Sequence, residues 1–139
     1  MKSPSMYTIL TVSVVILLLD FIWLGFVAKP MYDRLRLAIN PGFSLKGLPF
    51  NAWAAAGAYI FMIISLSYLV VPNIKGDTFI DRFGKALWWG ALWGIGVYGT
   101  YDMTNLATIH NFPVDIAVVD MLWGIIIGTI GAIAGSYSI

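Results

Sequence analysis

The chain has no cysteine among its 139 residues, a single histidine, and charged side chains at only 11% of positions. Without cysteine there are no disulfides, no thiolate nucleophiles and no thiolate metal sites, although that absence alone assigns no redox compartment. A net charge of +1 carries no signal for nucleic acid as a partner. No polar stretch is long enough for a soluble domain, and no phosphate-binding glycine loop, Ser–His arrangement or zinc motif occurs. What is abundant is apolar sequence: 60% of residues are hydrophobic and the mean hydropathy is +0.85. Such a composition reads as an all-α, multi-pass membrane protein folded as one membrane domain over residues 1–139.

Four apolar runs, at about 7–28, 51–71, 83–107 and 114–137, have the length of membrane spans. The first is too long for a secretory signal core and lacks a small-residue cleavage site, so it reads as a retained helix. Pro49, Pro72 and Pro113 punctuate the others. Backbone groups in hydrocarbon need partners within their own segment, which makes helices the form for these runs, and the lack of polar alternation excludes a barrel. The expectation is therefore a four-transmembrane-helix bundle. Between spans 1 and 2, Met31, Leu35, Ala38 and Ile39 recur at helical spacing while Asp33, Arg34 and Arg36 fall off that stripe. A short interfacial helix over about 30–39 is expected there, ending by Asn40-Pro41-Gly42. With four spans both termini share one face, side A. Lys and Arg number four on each side, and the loop at 107–113, free of both, favours cytoplasmic termini. A plasma or inner membrane is the expected location.

Three aspartates interrupt these runs: Asp20 in LLLDFIWLG, Asp102 in YGTYDMTN and Asp120 in VVDMLWG. A charged side chain in hydrocarbon costs about 2.5 kcal/mol or more, so each marks a candidate functional position. At 1.5 Å rise per residue, Asp20 lies about 12 Å, and Asp102 and Asp120 about 6 Å, from the side B ends of their spans. Three carboxyls so clustered cannot all ionise without a counter-cation, and no Lys or Arg is expected at their depth. In span 4, Asp120, Gly124, Gly128, Gly131 and Gly135 form one stripe; in span 3, Gly90, Gly94, Tyr98, Tyr101, Asp102 and Asn105 form another. Small residues on such stripes allow close helix approach, within one bundle or in a homodimer. Spans 1 and 4 also share an Asp-x-x-Trp spacing, Asp20 with Trp23 and Asp120 with Trp123, which sets an indole one turn after a carboxyl. His110 is expected in the solvated side B loop, and Asp115 as a charge at a helix N-terminus.

In this order, LLLDFIWLG, AAAGAYIFM, GALWGIGVYGTYDMTNLAT and FPVDIAVVDMLWG resemble the DUF2177 family of small predicted membrane proteins, over nearly the entire chain. The most specific part is YGTYDMTNLA, from Tyr98 to Ala107. Phe112-Pro113 departs from the Trp-Pro of relatives, which concerns a loop aromatic only. The positions matching the family pattern are Asp20, Trp23, Tyr101, Asp102, Thr104, Asn105, Asp120 and Trp123. The resemblance implies a four-helix membrane protein and implies no activity.

Three functions remain open on the residues. The aspartate cluster, with Asn105, Tyr101 and the two tryptophans, suits a proton, a metal ion or an organic cation, and hence a transport or ion-coupled role. A neutral buried aspartic acid between aromatic walls suits intramembrane chemistry on a lipid or isoprenoid. A purely structural or assembly protein would use the same groups as interhelical hydrogen bonds. No cofactor and no particular metal is specified by these residues. The expected partners are the lipid bilayer and a second copy of the chain.

Overall fold

A computed structural model describes residues 3–42 and 51–139; Lys2, Lys46 and Pro49, and with them the end of the first connector, lie outside these. Among the described residues the chain is all-helical, with no strand. Helix α1, Met6–Ile22, runs on into a π turn at Trp23–Val27 and is followed by α2, Lys29–Ile39. Helix α3, Ala52–Ser65, continues through a π turn at Leu66–Val70 and a 3₁₀ turn at Val71–Asn73. Helices α4, Phe79–Gly94, and α5, Thr100–Thr108, are joined by a third π turn, Ile95–Gly99, into one uninterrupted helical rod. Helix α6, Val114–Ser136, closes the chain. Three of these stretches are long and apolar enough to cross a membrane: Met6–Val27, Ala52–Asn73 and Val114–Ser136.

α6 is the axis of the fold. Half of its most apolar window is buried, against 17% for Met6–Val27 and 22% for Ala52–Asn73, so the other helices pack around it with their remaining faces outward. Close approach to α4 depends on glycine. A Cβ placed on Gly90 would stand 2.7 Å from the Gly128 carbonyl carbon, and one on Gly128 would stand 2.8 Å from the Trp93 ring. Gly94 meets the Gly124 backbone in the same way. Both glycine stripes are thus consumed within one chain, where bare backbones gain dispersion contacts that bulkier residues would forbid. α1 contributes a narrower stripe: its buried residues are Thr8, Val12, Ile16 and Asp20, four residues apart, while Leu10, Val14, Leu17, Leu18 and Phe21 face outward.

The side A ends are tied by polar contacts. Ser5 caps α1 by accepting from the Thr8 N–H at 3.1 Å, and both Ser5 and Thr8 donate to the Ser138 carbonyl, at 2.9 and 2.8 Å. Thr78 and Asp81 form a capping box at the start of α4. One turn on, Arg82 donates to the Ser136 carbonyl at 2.7 Å and lies 4.5 Å above the Tyr137 ring, satisfying a free carbonyl at the end of α6. At the opposite end α3 stands off. None of its residues from Ala52 to Ser65 is buried, and Trp53 is 80% exposed. That divergence opens the interior between α1, α3 and the π turn of the α4–α5 rod.

Candidate functional site

Asp20, Asp102 and Asp120, from three different helices, are all buried: 5%, 1% and 6% exposed. The two Asp-x-x-Trp elements cross over. Trp123 Nε1 donates to Asp20 Oδ1 at 2.8 Å. Trp23 Nε1 donates to the Tyr32 hydroxyl at 3.2 Å, and Tyr32 in turn donates to Asp120 Oδ1. Each carboxyl is therefore served by the indole of the other helix, directly in one case and through a phenol in the other. The indoles stack with centroids 4.5 Å apart and planes 6° from parallel, which fixes both N–H directions. The i, i+3 spacing puts each tryptophan on the same face as its aspartate, and the antiparallel packing of α1 on α6 then brings the pairs face to face.

Asp102 stands behind this pair. It lies in the first turn of α5, and its Oδ2 is buried without a hydrogen-bond partner among the described residues. Among the described residues the ion pairs are Lys29–Asp33, Arg34–Asp115 and Arg36–Asp33, so none neutralises the three buried acids. Asp115, expected to act as a helix-terminal charge, does lie in the first turn of α6 and also holds Arg34 of α2 at 2.5 Å. Nor do the described residues contain any group of three or more His, Cys, Asp or Glu side chains arranged to hold a metal ion.

The other expected residues divide. Tyr101 is 56% exposed and forms part of a cavity wall, with Asn105 beside its hydroxyl. Thr104 points away from the cluster; it is exposed, and its hydroxyl donates to the Thr100 carbonyl at 2.6 Å. Such back-bonding to the preceding turn satisfies a threonine on a helix without any other partner. His110 is exposed in the loop before α6.

Three tyrosines complete the site, none of them in the sequence-based set of site residues, although Tyr98 lies on the span 3 stripe. Tyr32 comes from the helix expected to lie at the interface, and its side chain turns inward beside Leu35, which packs on Phe112 and Ile116. Burial, then the hydrogen bond to Asp120, pushes its phenol above the ordinary tyrosine range, which keeps it a donor. Tyr59 of α3 lies beside Asp20. Tyr98 fits only because residue 124 is glycine: a Cβ there would be 2.6 Å from its ring.

Together these groups enclose a cavity of about 850 Å³. Asp20, Asp120, Tyr32 and Trp123 form its polar end, while Leu17, Phe21 and Leu24 of α1, Ala55, Ala58 and Met62 of α3, and Val97 form apolar walls. Phe21, 65% exposed, and Tyr101 belong to both the lining and the outer surface, so the cavity opens on the apolar flank of the bundle.

The model of a family described as predicted membrane protein (DUF2177) matches residues 5–137, and the chain belongs to that family. No curated protein and no solved structure matches the chain.

Proposed function

From membership in a family of membrane proteins, we propose that this chain is a four-span binding protein for an amphiphilic organic cation, which enters the cavity from the bilayer and seats its charge against Asp20 and Asp120. The fourth crossing is the α4–α5 rod. It lies along α6 through paired glycines, so it shares α6's depth, and its Asp81, Arg82 and Lys85 are confined to the first two turns. The observation that carries the functional reading is one cavity with an acidic end, aromatic flanks and no basic partner among the described residues.

Size and chemistry support an organic ligand over a bare ion. A volume of about 850 Å³ lies within the usual range of small-molecule pockets, roughly 300–1,000 Å³. Aromatic faces such as those of Tyr59, Tyr98 and Trp123 each attract a desolvated cation by about 0.5–2 kcal/mol. A carboxylate at this depth, costly when alone, regains its charge compensation from such a ligand. The exposed lining at Phe21 and Tyr101 gives an apolar tail a way in from the side.

Tetraphenylphosphonium and tetraphenylborate, of like shape and opposite charge, provide the test. Calorimetric titration of the protein in nanodiscs should give saturable binding of the phosphonium alone, weakened at least about tenfold in Asp20→Asn and Asp120→Asn variants, the loss of about 1.4 kcal/mol expected for a charge contact. Equal binding of the two ions, or binding indifferent to both substitutions, would refute the proposal.

A second reading draws on the same lateral mouth. A protonated aspartic acid facing aromatic walls can protonate a lipid alkene and stabilise the carbocation formed. It is distinguished by turnover: an altered prenyl lipid recovered from nanodiscs containing the protein and missing from those with Asp120→Asn.

A further inference from the structure

The polar end of the cavity is its inner wall, opposite the lateral mouth, and its two acids stand at different levels along the helix axes. Contacts with the α6 glycines fix the register. Ile16 lies 3.7 Å from a Cβ placed on Gly131 and Val12 lies 2.8 Å from one placed on Gly135, so α1 and α6 run antiparallel with these residues opposed. The same register carries Trp23 to the level of Trp123 and Gly124, where the two indoles stack, and it sets Asp20 level with Ile127. From Ile127 to Asp120 is seven residues of α6, an axial distance of about 10 Å at the usual helical rise. Between those levels the lining is apolar and aromatic, with Leu24 and the Trp123 ring.

Each acid is held separately. Asp20 Oδ1 accepts from Trp123 of α6, and Asp120 Oδ1 accepts from Tyr32 of α2. Both side chains line the cavity, both are more than nine-tenths buried, and neither is paired with a cation among the described residues. One compact positive charge can touch only one of two acids so spaced, and it leaves the other as a buried acid without compensation, which is the costly arrangement. A ligand with a positive charge at each end serves both.

We propose that the cavity selects an organic dication: two amines at the ends of an unbranched alkyl spacer, one seated against Asp20 and the other against Asp120, with the spacer lying along Leu24 and the Trp123 ring. This rests on the cation-binding reading of the cavity and names the ligand class for it. Alkyl amines stay charged near neutral pH, as the lysine side chain does. Once the first amine is seated, the second meets its acid as an intramolecular event, so affinity depends on spacer length. It is lost when the spacer cannot reach, greatest when its length matches the span, and lower again beyond that. Simple apolar partitioning rises with every added methylene and has no such maximum.

Straight-chain diaminoalkanes of graded length, each beside the monoamine of the same chain, provide the test, by calorimetric titration of the protein in nanodiscs with the signal of empty nanodiscs subtracted. Affinity for the diamines should peak at an intermediate spacer and fall at least about tenfold for shorter ones, and the best diamine should exceed its monoamine by at least about the same factor. Asp20→Asn and Asp120→Asn should each remove the peak and bring that diamine down to the level of its monoamine, whose retained binding at the remaining acid reports that the variant is folded. The wild-type series needs no variant, so a misfolded protein leaves the test intact. Diamine affinity that only rises with length, or that equals the monoamine's at every length, overturns the dication; if tetraphenylphosphonium still binds, the cation-binding reading stands. A peak that survives both single substitutions overturns the assignment of its ends to these two acids. Failure of the diamines, the monoamines and tetraphenylphosphonium alike to bind overturns the dication together with the cation-binding reading.

Discussion

At the scale of single residues, the crossed hydrogen bonds make the two Asp-x-x-Trp elements depend on each other. Trp123→Phe keeps the ring that stacks on Trp23 but removes the N–H that Asp20 accepts at 2.8 Å. A buried acceptor that loses its donor costs about 1–3 kcal/mol. Asp20→Asn keeps an acceptor oxygen, so it should cost less, and the double variant should be less destabilised than the sum of the singles by about 1 kcal/mol. Thermal denaturation of the four proteins in detergent measures this coupling, and strictly additive losses would break the assignment. The spacing behind it is plain in the sequence, because i, i+3 residues share a helix face. The crossing itself is not, since it depends on how α1 and α6 rotate against each other. Tyr32 was hidden for a related reason. It neighbours the apolar stripe of Met31 and Leu35, and an amphipathic pattern reads the same whether its apolar face covers lipid or protein.

At the scale of elements, the glycine stripe of α6 does two jobs along its length. Gly128 and Gly124 admit the α4 backbone, and Gly124 also admits the Tyr98 ring that borders the cavity. Further along, Gly131 and Gly135 admit Leu66 of the α3 π turn, and Val12 and Val71. One stripe therefore sets both the core spacing and the shape of the site. Sequence reasoning finds such a stripe readily but cannot tell an intramolecular partner from a second copy, because the packing chemistry is the same. Gly128→Leu should lower thermal stability markedly, by at least the roughly 1–3 kcal/mol typical of overpacking, because the opposing Gly90 backbone has no side chain to move aside. Gly84→Leu is the matched control, since nothing among the described residues lies within 4 Å of its added Cβ. Equal stability of the two variants would mean that α4 and α6 do not meet at these glycines.

At the scale of the whole molecule, everything proposed for the site depends on how often the chain crosses the bilayer. Spans 1, 2 and 4 stand out by continuous apolarity, whereas the α4–α5 rod opens with Asp81, Arg82 and Lys85 and carries Asp102 near its far end. Those charges dilute the hydropathy of the rod at its ends while leaving its middle, LWWGALWGIGVYG, fully apolar. If the rod crosses, Asn40 and His110 lie on one side of the membrane, and Asp77, between α3 and α4, lies on the other with the termini. The native absence of cysteine makes this directly measurable, because any introduced thiol is unique. In sealed vesicles of uniform orientation, a membrane-impermeant maleimide should label Asn40→Cys and His110→Cys from the same face and Asp77→Cys from the opposite one. Labelling of His110→Cys and Asp77→Cys from one face would mean that the rod does not cross. Asp102 would then lose its place in the buried acid layer, and only Asp20 and Asp120 would keep the low-dielectric setting that the cation-binding reading requires.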